Sequence, residues 1–267
     1  MVMSDFASIC VLSYERPEFL RTCLESVSAN AGYPVEVIVH DDGSANPMVR
    51  ELILDGIDQG LISHAILNPA GNNEGQGIAL NRMFTMAKGD PIVKCDQDLI
   101  FSPDWLITCV ELLKANRHAV LEAGDNIEPP IGVLGLFKYW TDPVDHRKMF
   151  IKDWGFPAYE WEEVTDFVGS ALVVPRDVWE AFGPFEERSL AFAEDQTFKF
   201  MVRDQGDMKL ALVKGADLVV NQGFGVGPST VVTAPGTVAQ IQPGPRLAGV
   251  TPNYVRPIVP GTGSEAS

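Results

Sequence analysis

The chain has 267 residues, 46% hydrophobic, 21% charged and 9% aromatic, a composition that excludes wholesale disorder and a fibrous repeat. Lys and Arg number 20 against 36 Asp and Glu, a net charge of −16. No Lys/Arg cluster offers a docking stripe for nucleic-acid phosphates, so an anionic ligand would need another counter-charge, such as a bound cation.

In chain order, Phe6–Ser13 reads as a short strand. Leu20, Cys23, Leu24 and Val27 then recur at i, i+3, i+4 and i+7, the stripe of a helix, with Pro17 suited to its first turn. Val35–His40 is a second strand, followed by a helix from about Met48 to Asp58. Leu80, Met83, Phe84 and Ala87 form another helical stripe that ends at Gly89-Asp90. Pro91–Cys95 is a strand running into Asp96-Gln97-Asp98, and Asp104–Asn116 is a helix. Strand and helix alternating at this spacing means βαβ units and a mostly parallel sheet, whose ligands bind beyond the carboxyl ends of the strands. The loops after Val11, His40 and Cys95 are therefore the ones to inspect.

From about Glu122 to Thr165 the pattern is less regular and rich in aromatics: Phe137, Tyr139, Trp140, Trp154, Phe156, Tyr159 and Trp161. They are either an accessory core or stacking groups for an acceptor, and Trp154 and Trp161, flanked by acidic or Gly/Pro residues, are the candidates for exposure. A strand over Phe167–Val174, a helix from Arg176, a helix over Asp195–Arg203 and a last strand near Leu210–Val220 follow. Beyond Gln222, Gly and Pro supply about a third of the residues and charges nearly vanish, which predicts an extended or polyproline-like tail. Cys10, Cys23, Cys95 and Cys109 lie in apolar runs without metal-ligand spacing and read as buried free thiols. No stretch reaches the ~18–20 apolar residues needed to span a bilayer. The first residues lack a basic start before their apolar run, so a cytoplasmic protein is expected.

Three acidic clusters are candidates for chemistry. Asp96 and Asp98 are one residue apart at a strand end, so their carboxylates share a side and suit magnesium or manganese; the alternative is a solvated turn. Asp41-Asp42-Gly43-Ser44 closes the second strand, where an acid can accept hydrogen bonds from a ribose or base, or serve only as a turn cap. Glu194-Asp195 begins a helix, which suits a cap as well as a general base.

Taken in order, Ser13-Tyr14-Glu15-Arg16-Pro17, Asp41-Asp42-Gly43-Ser44, Asn73, Gly77, Asn81, Lys88-Gly89-Asp90 and Asp96-Gln97-Asp98 continue into a second group. That group is Phe167-Val168-Gly169-Ser170, Arg176, Phe182-Gly183-Pro184-Phe185-Glu186 and Glu194-Asp195. The set resembles the family 2 glycosyltransferases over about residues 6–222. The resemblance implies a GT-A fold: α/β, Rossmann-like, with a mostly parallel central sheet flanked by helices, an acceptor-side insert and the Gly/Pro-rich tail. Residues 1–222 would be the transferase domain, with a nucleotide-binding half over 1–116 and an acceptor-binding half over 117–222; 223–267 would be the tail.

By the same resemblance, Ser13, Tyr14, Glu15, Arg16, Asp41 and Asp42 would hold the nucleotide, with Asn73, Gly77 and Asn81 completing the donor site. Asp96 would contact the ribose or a water on a metal, and Asp98 would ligate the manganese or magnesium bridging the donor diphosphate. Gly169 and Ser170 would shape the sugar and acceptor pocket. Asp195 would be the base and Glu194 would bind donor or acceptor hydroxyls. The implied reaction is inverting transfer from a nucleotide-diphospho-sugar, UDP-sugar first, to a glycan, protein or small-molecule acceptor, with homo-oligomerisation through the tail as a further expectation. Where many relatives carry a His as an extra ligand after the last strand, this chain has Asn221-Gln222. The rivals are a nucleotidyltransferase that makes the nucleotide sugar and an inactive sugar-binding or assembly protein on the same fold.

Overall fold

The computed structural model describes residues 4–123, 129–136, 153–155, 160–164, 167, 169–187, 194–213, 218–221, 229–234 and 237–241. Strand β1 (Ala7–Ser13) leads into helix α1 (Pro17–Ala29), β2 (Val35–Asp41) into α2 (Pro47–Asp58), and β3 (His64–Leu67) into α3 (Gln76–Met86). Pro17 and Pro47 stand in the first turns, where a missing N–H costs nothing, and the Asn46 side chain caps α2 by accepting from the Met48 N–H at 3.1 Å. Next come β4 (Ile92–Asp96), β5 (Leu99–Phe101), α4 (Trp105–Glu122) and β6 (Ile131–Gly135). The second half continues with β7 (Asp153–Gly155), β8 (Glu160–Val164), β9 (Ala171–Val174), α5 (Arg176–Phe182), α6 (Glu194–Asp204), β10 (Lys209–Val213) and β11 (Val219–Asn221).

One nine-stranded sheet runs β3-β2-β1-β4-β9-β6-β10-β8-β7. The strands β3, β2, β1 and β4 are parallel, and β9 joins β4 antiparallel. Register sets the position of the chemistry. Ser13 pairs with Asp41 and Leu12 with Asp96, so the first two candidate loops leave the sheet along one edge. Because β9 runs the other way, Cys95 pairs with Ala171, which delivers Gly169 and Ser170 to the same edge.

Helices cover both faces. The α1 stripe Leu20, Cys23, Leu24 and Val27 joins Val49 and Ile53 of α2 and Trp105, Cys109 and Val110 of α4 in one buried layer. On the other face Leu80, Met83 and Phe84 of α3 meet Val178 of α5 and Phe198 and Val202 of α6. There Phe84 stands edge-on to Phe185 and Trp179, with centroids 5.0 and 4.9 Å away. Full burial of each such side chain contributes about 1.5–3 kcal/mol. All four cysteines are free and buried.

The structure corrects several expectations. The strand expected over Phe167–Val174 starts only at Ala171, because Gly169 and Ser170 form a turn. The last strand is two: β10 stays in the main sheet, while β11 leaves it to pair with β5, Asn221 opposite Leu99. Trp161, expected exposed, is 1% accessible, because its strand β8 is roofed by the ring-to-ammonium contact with Lys209 and by the core. Trp154 is its partner in strand register, and Phe137, Tyr139, Trp140, Phe156 and Tyr159 lie outside the described residues. Within the tail, β12 (Ser229–Ala234) and β13 (Thr237–Ile241) pair antiparallel. Their Val and Thr content favours strand over the extended chain expected from Gly and Pro. Among the described residues no helix is long and apolar enough to cross a membrane.

Candidate active site

The loop from β1 into α1 is clamped on three sides. The Glu15 carboxylate accepts from the Ala45 and Asn46 N–H groups at 2.6 and 3.2 Å, and the Glu15 N–H donates to Ser44 Oγ at 2.7 Å. Ser44 Oγ in turn donates to Asp41 Oδ1 at 2.5 Å. Burial pushes the Asp41 carboxyl up and the Ser44 hydroxyl bond offsets part of that. Tyr14 shares a side-chain hydrogen bond with Asn73. Ser13, Tyr14, Glu15, Asp41 and Asn73 therefore lie together at the β1–β2 end.

Beside it, Arg16 reaches Asp98 at 3.5 Å. Burial first, and then the charge of Asp96, push the Asp98 carboxyl up to about 6. Two carboxylates that repel each other at a strand end are hard oxygen donors with charge to spare, the chemistry a magnesium or manganese ion relieves. Among the described residues no third carboxylate, imidazole or thiol joins them. The residues fit a divalent cation. The β5–β11 pairing sets the Asn221 backbone opposite Leu99, the residue directly after Asp98.

Lys94 connects this pair to the helix α6. Fully buried in β4, its ammonium donates to the Gly169 carbonyl at 2.6 Å and to Asp96 Oδ1 at 3.0 Å. Burial alone would lower its pKa; the charges of Asp96, Glu194 and Asp195 outweigh that and hold it above the ordinary lysine range. Asp96 also donates its N–H to the Ser170 carbonyl at 3.0 Å. Gly169 lies so close to α6 that a Cβ there would sit 1.9 Å from Asp195 Oδ2. Asp195 is paired with Lys199, one turn on, at 3.1 Å, and Lys199 also donates to the Phe167 carbonyl. Glu194 is 3% accessible, burial raises its carboxyl, and its Oε2 has no hydrogen-bond partner among the described residues. Asp96, Gly169, Ser170, Glu194 and Asp195 thus meet around two buried ammonium groups, Lys94 and Lys199, with Asp98 beside Asp96, although the sequence separates them by up to a hundred residues.

Three predicted donor-site residues have other employment. Gly77 is a close-packing position: a Cβ there would meet the Glu186 carbonyl at 2.1 Å. Asn81 exchanges hydrogen bonds with the Phe185 backbone at 2.8 and 3.0 Å and donates to Glu187 at 2.8 Å, which uses up its amide in tying α3 to the segment after α5. Asp42 accepts from Asn68 Nδ2 and from the Glu74 and Gly75 N–H groups at 3.0, 2.8 and 2.9 Å, so it shapes the loop into α3. Gly75 itself has φ 93°, a conformation side chains resist. Of the four histidines, His40 is fully buried, His64 is exposed, His118 pairs with Glu122 on α4 at 3.3 Å, and His146 lies outside the described residues.

Four residues of the site were not singled out from sequence: Ser44, Lys94, Gln97 and Lys199. Lys94 carried a signal, since a lysine inside the apolar run Ile92-Val93-Lys94-Cys95 can be buried only against carboxylates or carbonyls.

Residues 8–130 match the family model described as Glycosyl transferase family 2. Over those residues the chain is similar to that family. The chain is 28% identical over 182 residues to a glucosyl-dolichyl phosphate glucuronosyltransferase of Haloferax volcanii, which covers 67% of this chain and 54% of that protein. It is 27% identical over 213 residues to the O-antigen biosynthesis protein RfbC of Myxococcus xanthus, covering 74% of this chain and 16% of that one. The chain thus spans about half the length of the first of these relatives and a smaller share of the second. Its fold is the GT-A fold. A mannosyltransferase from Pyrobaculum calidifontis, solved with GDP-Man and Mn2+, superposes with a TM-score of 0.58 at 17% identity, over 83% of this chain and 58% of that one. The S. aureus TarS fragment solved with UDP gives 0.57 at 16% identity, over 80% and 59%.

Proposed function

We propose that the chain transfers a sugar from a nucleoside-diphosphate sugar, UDP-sugar first, to an acceptor hydroxyl with inversion, and that Asp98 and Asp96 hold a divalent cation for the reaction. The observation that carries this is the convergence of the Asp96–Asp98 pair and the Glu194–Asp195 pair on Lys94. The glucuronosyltransferase relative supports sugar transfer, and the structural relatives solved with UDP or with GDP-Man and Mn2+ support the donor class and the cation.

In this reading the β1–α1 loop and Asp41 orient the nucleoside. The bound cation would neutralise the charge that builds on the departing diphosphate. Asp195 takes the proton of the acceptor hydroxyl as the hydroxyl oxygen attacks the anomeric carbon opposite the departing phosphate oxygen, which inverts the configuration. Lys199 aims the Asp195 carboxylate, and the unpartnered Glu194 Oε2 receives a hydroxyl of donor or acceptor.

The deciding experiment incubates the protein with a panel of nucleotide sugars and manganese and measures released nucleoside diphosphate. Pyrophosphate release would support a nucleotidyltransferase, and no turnover with any donor would support an inactive binding protein. Asp98→Asn is expected to abolish manganese-dependent UDP binding in calorimetry. With Asp98 titrating at about 6, protons displace the cation on the acid side, so manganese affinity should be about tenfold weaker at pH 5 than at pH 7. A flat affinity across that range would remove Asp98 from the site.

Gly169→Ala is expected to lower turnover about 100-fold while leaving UDP affinity unchanged. The added methyl takes the space of the Asp195 carboxylate, and a misplacement of about 1 Å suffices for such a loss. Equal turnover in the variant and the parent chain would show that Asp195 can move without consequence.

A further inference from the structure

Gln97, the middle residue of Asp96-Gln97-Asp98, is 5% accessible and faces away from its two acidic neighbours' chemistry, into the β1–α1 loop. Its Nε2 donates to the Tyr14 carbonyl at 2.6 Å, and its Oε1 accepts from the Tyr14 N–H at 3.3 Å and from Ser13 Oγ at 3.4 Å. One amide thereby satisfies both backbone groups of a residue 83 positions away. Immediately after Tyr14, Glu15 and Arg16 have φ of 53° and 55°, two successive non-glycine residues in the left-handed region. Such backbone is strained and persists only where its surroundings over-determine it. Gln97 grips the loop just before the strained pair, the Ser44 and Glu15 bonds grip it on the β2 side, and Arg16 returns to Asp98 after it.

We infer that Gln97 is a positioning residue that fixes the distance between the loop holding the nucleoside and the carboxylates serving the diphosphate, so that a linked nucleoside diphosphate meets both half-sites in register. The inference rests on the donor reading above and adds to it a residue that touches neither substrate nor cation. Its physical content is preorganisation. With Gln97 in place the loop is held at a fixed distance from the carboxylates before the donor arrives; without it the Tyr14 N–H and C=O lose their protein partners, the Ser44 and Glu15 bonds still shape the loop, and the two half-sites bind independently.

The test compares UDP with UMP, and GDP with GMP in parallel, in the presence of manganese, on the full chain and on Gln97→Leu. UMP engages the nucleoside loop but lacks the second phosphate. Losing two hydrogen bonds of ordinary net worth corresponds to about 30-fold, so UDP affinity should fall by about that factor while UMP affinity changes by less than about threefold. Destabilisation of the fold alone would lower both in parallel and leave the UDP/UMP ratio at its parent value, as would the absence of any role; either result overturns the inference. Gln97→Asn, which keeps the amide one methylene short, gives the same readout if the leucine variant does not fold, and the same collapse of the ratio is expected. If the parent chain binds neither UDP nor GDP, the donor reading itself falls and this inference with it. Parent binding with an unchanged ratio in the variants removes only Gln97.

Discussion

Asp195→Asn is expected to lower the turnover number about 1,000-fold while leaving the Kd for UDP within about threefold, the size of loss that follows removal of a positioned general base. The substitution keeps the shape of the side chain and one oxygen, so the contact with Gly169 and a bond from Lys199 survive; only proton acceptance is lost. Asp195 is the better placed of the two α6 acids. Its side chain is 17% accessible and held by Lys199, whereas Glu194 is 3% accessible and burial favours its protonated form. Since water can replace the acceptor, release of nucleoside diphosphate from the donor alone is a sufficient assay, with UDP binding measured by calorimetry on the same preparation. A variant that turns over at the parent rate would leave Asp195 an ion-pair partner of Lys199 and nothing more.

How much of this was legible beforehand differs by kind of interaction. Local patterns carried the helices well: the Leu20, Cys23, Leu24 and Val27 stripe is buried as its spacing requires, and α1 and α2 begin at the prolines that can start a helix. The edge at which Ser13, Asp41 and Asp96 emerge follows from βαβ logic and matches the observed register. Non-local pairing was not legible. β3 is four residues long with an exposed first position, too short to show alternation, and β11 pairs with β5 where one strand was expected near Leu210–Val220. Gly77 and Asn81 carry contacts that local pattern could not show. Small and amide residues on a helix serve close packing as readily as ligand binding, and their packing partners, Phe185 and Glu186, lie about a hundred residues away. Trp161 was misplaced because acidic neighbours along a strand describe the opposite face of the sheet, not its own.

Lys94→Met is expected to destabilise the fold by about 3 kcal/mol, a fall in Tm of about 6–12 °C for a domain of this size, and to do so more at pH 8 than at pH 5. Two buried ammonium groups, Lys94 and Lys199, stand among three carboxylates, Asp96, Glu194 and Asp195; deleting Lys94 leaves three against one. The sign of the pH effect follows from linkage. In the parent chain Lys94 is held above its ordinary range, so its contribution is fully present below about 10.5 and is lost only as pH rises past the folded value; it is constant between pH 5 and 8. In the variant Glu194, whose carboxyl burial already raises, has lost the opposing charge of Lys94 and takes up a proton more readily when folded than when unfolded, so the variant gains stability as the solution is acidified and the gap to the parent narrows. Thermal melts at three pH values would measure this. A gap that stays the same from pH 5 to 8 would mean that Lys94 fills space without balancing charge. The Gly169 carbonyl would also lose its donor, and with it the turn that seats Gly169 against Asp195. Turnover should therefore fall further than the loss of folded protein accounts for, because the same ammonium that stabilises the core sets the spacing between the diphosphate carboxylates and the base.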